Sequence, residues 1–363
     1  MATHHSMNRR SALGLMAAGL ACPALATTDS KKRTGLGLVV YCSRFRRDAL
    51  RGRDKDFDLY APLSFLNHCV ELGAGGMQCS LGVLNAAGVQ VLKSFAENNG
   101  LFIEAIVRPP KDESDVDRFD AELQTAAAVG ALAVRTTIIP GRRYEYFDSL
   151  EMFKEFAARG RRMLELAAPV AEKHRVPIAV ENHKDQRDDE RIALFEHIDS
   201  EYVGACVDTG NSFALLQDPI QTVRDFAPWA HAVHLKDQAL QLYDDGFLLA
   251  DIPLGQGGLD LKCMVAILKK AKPGIHFNLE LITRDPLKVP CLTRKYWSTF
   301  PTLPARDLAQ TLRYVRSNST ETLQYISRMS PEEQLAREDA NVRESLDYAR
   351  LELGLASRKA TGR

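Results

Sequence analysis

Short apolar runs alternate with longer amphipathic segments along most of the chain. The apolar runs have the length of buried strands, and the amphipathic segments carry apolar residues at helical spacing. This alternation of strand and helix, repeated eight times, is typical of a (β/α)8 TIM barrel in the α/β class. The eight strands are predicted at residues 36–42, 75–80, 101–107, 131–139, 176–181, 203–208, 231–235 and 275–280.

A doubly wound open sheet is the main competing fold, and it would carry a Gly-x-Gly-x-x-Gly turn after its first strand. No such turn follows Cys42, which favours the barrel. We assign residues 34–320 to a barrel with metal-dependent chemistry and residues 321–363 to a C-terminal helical extension. A capping-box sequence begins at Ser330, and the helix that follows packs either on the barrel or on a second copy of the chain. The sequence therefore leaves the oligomeric state open, and a homo-oligomer is one of the two options.

Residues 1–30 have the pattern of an export signal followed by a linker. Arg9 and Arg10 precede an apolar stretch that is too short to span a bilayer, and residues 24–26 supply the small side chains of a cleavage site. The arginine pair resembles a Tat signal, so the pattern predicts a periplasmic or otherwise exported protein. Cys22 leaves lipidation open. The later sequence contains no stretch apolar enough to cross a membrane.

The composition narrows the choice of partners. The 363 residues include 47 Lys and Arg against 47 Asp and Glu, so no basic surplus exists to neutralise a nucleic-acid backbone. The seven cysteines form no Cys-x-x-Cys pair and no cluster with zinc-site spacing. We therefore expect a small-molecule partner and no nucleic acid.

Polar side chains end the last four predicted strands: Glu181, Asp208, His234 and Glu280. The carboxyl ends of barrel strands meet at one mouth, so these groups should lie together. Without a partner they would carry a heavy desolvation cost, and the carboxylates would repel one another. A divalent cation removes both problems. Three carboxylates and one imidazole suit Mn²⁺ first, then Mg²⁺, with Co²⁺ or Zn²⁺ also possible.

Motifs in the second half of the chain resemble one known family, the xylose isomerase-like TIM barrel superfamily. The similarity is to its sugar isomerase/epimerase branch, which includes the tagatose/psicose 3-epimerases. It rests on the segments Ala179–His183, Val207–Asn211, His231–Asp237, Pro253–Asp260 and Asn278–Glu280. The resemblance implies a metal site formed by Glu181, Asp208, His234 and Glu280, with Glu181 and Glu280 also serving as the acid/base pair.

Two departures from the family pattern concern the substrate. The 3-epimerases tend to have a histidine where this chain has Asn211, and a glutamate where it has Gln256. Asn211 can still donate to a hydroxyl but carries no charge. Further candidates for substrate binding lie on or just after the predicted strands, and we list them with Asn211: Arg135, His183, Asn211 and Lys236.

The resulting prediction is a divalent-metal-dependent sugar isomerase or epimerase that acts on a keto-sugar through an enediolate. A 3-keto-glycoside lyase or hydrolase that works by β-elimination shares the first half of this mechanism and stays an alternative. A non-catalytic sugar-binding barrel is the alternative of another class. A DNA-repair endonuclease on the same barrel would need many more histidine ligands and a basic groove, which the charge balance disfavours. Export favours a free sugar or glycoside over a sugar phosphate.

Overall fold

The structure is a computed structural model that describes residues 33–356. The predicted leader, with Arg9, Arg10 and Cys22, lies outside the described residues, so it stays a prediction. Among the residues described, no helix combines the length and the apolar character needed to cross a bilayer.

Eight parallel strands close into a barrel in the order β1-β10-β7-β6-β5-β4-β3-β2, while three further strands form a second sheet. The predicted (β/α)8 fold is confirmed, and the observed strands fall within the predicted runs or start one residue earlier. In chain order the strands are β1 (Leu36–Val39), β2 (Gly76–Cys79), β3 (Phe102–Ile106), β4 (Val134–Thr136), β5 (Ile178–Glu181), β6 (Val203–Asp208), β7 (Ala230–Leu235), β8 (Asp237–Tyr243), β9 (Gly246–Ile252), β10 (Phe277–Leu279) and β11 (Leu287–Val289).

The helices begin and end where local chemistry predicts. Side chains of Asn85, Ser149 and Asp260 accept hydrogen bonds from the first free N–H groups of their helices, which lowers the cost of the helix ends. Gly100 and Gly130 stop two helices in the left-handed conformation. The helices are α1 (Arg44–Arg53), α2 (Pro62–Leu72), α3 (Ala86–Asn99), α4 (Val116–Val129), α5 (Arg143–Tyr146), α6 (Leu150–His174), α7 (Asp188–Ile198), α8 (Pro219–Phe226), α9 (Leu261–Ala271), α10 (Arg294–Trp297), α11 (Ala305–Ser317) and α12 (Pro331–Leu351).

The second sheet was not predicted, and it stands directly after the seventh barrel strand. β8 and β9 form an antiparallel hairpin, and β11 pairs with β9. Phe213, Phe247 and Val315 share a separate apolar core with this sheet. Val315 belongs to α11, the helix that we expected to complete the eighth unit of the barrel. Val315 instead belongs to the apolar core of the second sheet.

α12 packs on the barrel. Its residues Val342, Leu346 and Ala349 belong to the main core together with the barrel strands. After the helix, the Leu355 carbonyl accepts a hydrogen bond from the backbone N–H of Gly35 at 2.6 Å. The end of the described chain therefore lies beside the start of β1, on the face of the barrel opposite its mouth.

Candidate metal centre

The four strand-end residues converge at the mouth. Glu181 ends β5, Asp208 ends β6, His234 is the last but one residue of β7, and Glu280 directly follows β10. These strands are consecutive neighbours in the barrel, so the side chains lie along one arc. Each offers one ligand atom, and these atoms all lie within 4.8 Å of one another. The structure therefore brings together the group that the sequence predicted.

Buried cations and amides surround the two glutamates. Arg135 Nε donates to Glu181 Oε2 at 2.7 Å, and its Nη2 contacts the same oxygen. Asn211 Nδ2 donates to Glu181 Oε1 at 3.1 Å. Lys236 Nζ lies 2.9 Å from Glu280 Oε2. Three of the predicted substrate-binding residues are thus in direct contact with predicted ligands, while His183 lies half-buried beside Lys184 in the loop after β5.

Two buried polar atoms of the metal group have no hydrogen-bond partner among the described residues and are free to bind a cation. Asp208 Oδ1 accepts from the backbone N–H groups of Gly210 and Asn211, at 2.9 and 2.8 Å. Its Oδ2 is buried without a hydrogen bond, as is His234 Nδ1. The Lys236 ammonium lies 3.1 Å from that Oδ2 as an ion pair only. Buried acceptors rarely lack partners, so these two atoms fit the donor set of a bound divalent ion.

An amide–carboxylate layer lies beneath His234 inside the barrel. His234 Nε2 lies 2.8 Å from Gln78 Oε1, and Gln78 Nε2 donates to Glu104 Oε2 at 2.8 Å. Asn278 Nδ2 donates to the same Glu104 oxygen at 2.8 Å. Because the carboxylate oxygen accepts, the amide nitrogen of Gln78 faces Glu104 and its oxygen faces His234. His234 Nε2 therefore carries a proton, and Nδ1 is the nitrogen that faces the metal group.

The electrostatics keep the glutamates charged. Burial raises the pKa of Glu280, but Lys236 and His234 outweigh it, and the pKa lies well below its usual value. For Glu181, burial is outweighed mainly by Arg135, so its pKa is also lowered. Burial raises the pKa of Asp208 despite Lys236. Burial also lowers the pKa of His183, which favours the neutral imidazole.

Several charged residues at the mouth were missed by the sequence analysis. Lys184 is buried, has a left-handed backbone with φ of 66°, and contacts the amide oxygen of Asn211. Asp251 on β9 pairs with Arg284 at 2.8 Å. A lysine in a loop after a strand has the pattern of a surface charge, so no signal in one sequence separates Lys184 from its exposed counterparts. Gln78 and Glu104 did carry a signal, because each is a polar residue inside an apolar strand.

A closed eight-stranded parallel barrel with buried carboxylates and an imidazole at its mouth defines a TIM-barrel protein with a metal-binding group. The chain belongs to the xylose isomerase-like TIM barrel family, whose model matches residues 66–317. The family predicted from the motifs is therefore confirmed.

Individual relatives are more distant. The 3-oxo-isoapionate decarboxylase of Pectobacterium atrosepticum is 25% identical over 223 residues, which cover 60% of this chain and 76% of that protein. The solved D-psicose 3-epimerase of Clostridium cellulolyticum superposes with a TM-score of 0.54 at 12% identity, covering 87% of this chain and 98% of that one. The 3-keto-D-glucoside 4-epimerase of E. coli gives a TM-score of 0.51 at 15% identity, covering 78% and 100%. These two structural likenesses concern the fold.

Proposed function

We propose that the protein is a divalent-metal-dependent enzyme that moves a proton next to a carbonyl group of a keto-sugar, as an isomerase or epimerase does. The observation that carries this proposal is the convergence of Glu181, Asp208, His234 and Glu280, whose ligand atoms lie within 4.8 Å of one another. Family membership supports it, since the decarboxylase and the epimerases similar to this chain are enzymes.

Glu181, Asp208, His234 and Glu280 would hold the cation. When bound, such an ion supplies Lewis acidity that stabilises negative charge on a carbonyl oxygen as a neighbouring C–H bond breaks. Mn²⁺ is our first choice, because three of the four side chains offer oxygen.

Glu181 and Glu280 are the proposed acid/base pair. They stand at the two ends of the arc of four neighbouring strands, so a sugar held between them would present opposite faces to the two carboxyl groups. One carboxylate takes the proton from carbon, and the C–H electron pair moves to the carbonyl oxygen as the enediolate forms. The other carboxylate takes a proton from a hydroxyl group of the substrate and delivers it to carbon, and the first glutamate returns its proton to that oxygen. Return to the same carbon inverts it, and return to the adjacent carbon moves the carbonyl.

Arg135, Asn211 and Lys236 would orient this pair. Arg135 and Asn211 occupy different oxygens of Glu181, so the carboxylate plane is fixed. All three residues are buried, which excludes water from the reacting carbon and strengthens each charged contact.

Decarboxylation of a β-keto acid is a second candidate, favoured by the similarity to a 3-oxo-isoapionate decarboxylase. The C–C bond to the carboxylate breaks, its electron pair moves to the carbonyl oxygen, and CO₂ leaves. The resulting enediolate then takes a proton on carbon. The same four side chains serve both reactions. As part of the proposal, the leader exports the protein, and its substrate is a sugar without phosphate.

The test uses the full-length protein with Mn²⁺ and a panel of keto-sugars and 3-keto-glycosides in D₂O, with deuterium incorporation followed by NMR. We expect one equivalent of cation and exchange at the carbon beside the ketone. Glu181→Gln and Glu280→Gln should each slow exchange by at least about 100-fold, the usual contribution of a general acid or base. Glu165→Gln, half-exposed on α6 and paired with His197 of α7, is the matched control and should keep full activity.

Absence of a stoichiometric cation would overturn the proposal. Exchange rates unchanged in both glutamine variants would do the same. Release of CO₂ from a keto acid, without isomerisation or epimerisation of any sugar, would select the second candidate.

A further inference from the structure

Two buried ammonium groups converge on one uncharged oxygen at the mouth. Lys184 Nζ donates to the amide oxygen of Asn211, and Lys236 Nζ lies 3.3 Å from the same atom. The side chains of both lysines are almost fully buried. An amide oxygen accepts hydrogen bonds but carries no negative charge, so it cannot balance two neighbouring cations.

Lys184 lacks an anionic partner. Across residues 33–356 no carboxylate oxygen pairs with its Nζ, although the residue is only 3% exposed. Its backbone is held at φ 66°, a conformation that side chains other than glycine adopt rarely and that clusters at functional sites. Burial and the nearby Lys236 lower the pKa of Lys184 to about 7, as expected for an ammonium without a counter-ion.

Lys236 has carboxylate partners only while the metal group is free of metal. Those partners are Asp208 and Glu280, at 3.1 and 2.9 Å, and our proposed function assigns both to the cation. Once these carboxylates bind the cation, Lys236, like Lys184, has no carboxylate partner among the described residues. Its remaining contact is the amide oxygen of Asn211.

A count of the ionised groups at the mouth also gives an excess of positive charge once a divalent ion is bound. Four carboxylates (Glu181, Asp208, Asp251 and Glu280) and four cationic side chains (Arg135, Lys184, Lys236 and Arg284) influence one another there. They balance, so a divalent ion would leave an excess of positive charge among these groups. The nearby Asp185 cannot offset this excess, because it is already paired with Arg191 at 2.8 Å. Buried charge of this kind needs an anionic ligand.

We propose that the substrate carries a carboxylate next to its carbonyl group, and that Lys184 and Lys236 bind this carboxylate. This inference rests on the proposed function and names its substrate class as keto sugar acids. The position follows from Asn211, which contacts both lysines through its oxygen and Glu181 through its nitrogen, at 3.1 Å. The carboxylate therefore binds one side chain away from the metal group.

The test compares two ligands that differ at one carbon. D-Fructose and 2-keto-D-gluconate share their remaining stereochemistry, but the acid has a carboxylate where the sugar has a hydroxymethyl group. Calorimetry on the full-length, Mn²⁺-loaded protein should give at least about tenfold tighter binding of the acid, the size expected for charged hydrogen bonds. Lys184→Met should weaken binding of the acid much more than binding of fructose. Lys295→Met, at an exposed ion pair with Asp148, is the matched control.

Lys184→Arg keeps the charge and should keep the preference, so it serves as the test if the methionine variant does not fold. Equal affinity for both ligands, tighter binding of fructose, or binding of neither would overturn the inference. An equal loss of affinity for both ligands in Lys184→Met would do so too, because it would indicate a structural role. Failure to load Mn²⁺ would instead overturn the proposed function.

Discussion

At the scale of single residues, a buried amide determines which nitrogen of His234 faces the metal group. Gln78 has two polar ends, and Glu104 holds the nitrogen end. The oxygen end therefore accepts the Nε2 proton of His234. A histidine ligand held this way already has the ring orientation that presents Nδ1 to the cation.

Gln78→Leu should weaken Mn²⁺ binding by about 10- to 100-fold, the usual effect of removing the outer partner of a histidine ligand. Calorimetry measures the affinity, and ¹⁵N NMR of the imidazole with diamagnetic Zn²⁺ bound should show a protonated Nε2 in the wild type and a mixture of states in the variant. Asn278→Leu is the control, because it also removes one hydrogen bond to Glu104, whereas the Asn278 side chain is not the partner of His234 Nε2. Equal losses in both variants would contradict the tautomer argument.

The sequence predicted the residues whose position follows from topology alone. Glu181 and Asp208 end buried strands, and strand ends of a barrel must meet at the mouth. The position of Lys184 depends instead on a left-handed turn and on the side chain of Asn211. Neither has a signature in the order of apolar and polar residues.

At the scale of elements, α12 holds the start of α1. The carboxylate of Glu338 accepts from the backbone N–H groups of Phe45 and Arg46, at 2.9 and 2.8 Å. It therefore supplies from a distant part of the chain the hydrogen bonds that an N-cap side chain usually makes. Burial raises the pKa of Glu338 to about 7, although these N–H groups act against the shift.

This shift gives a pH dependence of stability. Because the folded pKa lies above the unfolded value, the folded state binds the extra proton between about pH 4.5 and 7, and the contribution of Glu338 to stability declines as the pH rises through this window. The unfolding free energy of the wild type minus that of Glu338→Gln should therefore fall by up to about 3 kcal/mol as the pH rises from 4.5 to 7. Urea denaturation at pH 4.5, 6 and 7.5 measures this difference. A difference that rises with pH would contradict the raised pKa.

Most elements could be predicted because their patterns are long or buried. The β8–β9 hairpin was missed although the pair Asp245-Gly246, a common hairpin signal, falls where the turn leads into β9. We expected a helix after the seventh barrel strand, so the two strands of the hairpin were not predicted there. α11 was assigned to the barrel because its sequence is amphipathic, and amphipathicity shows that a helix packs without showing which core receives it.

At the scale of the whole molecule, a bound cation should stabilise the fold. The metal group joins four strands, so unfolding disperses its ligands and the ion binds the native state only. At a Mn²⁺ concentration about 100 times the Kd, the unfolding free energy should rise by about 2.7 kcal/mol and the Tm by roughly 5 °C. Scanning calorimetry with Mn²⁺ and then with excess chelator measures the shift. Asp208→Asn should reduce it sharply, and an equal shift in that variant would place the ion elsewhere.

The backbone contact between Gly35 and Leu355 determines how the molecule can be tethered. The two ends of the described chain lie at the base of the barrel, so a surface, a fused domain or a lipid attached there leaves the opening free to face the medium. A form immobilised through either end of the described chain should therefore remain accessible to small molecules.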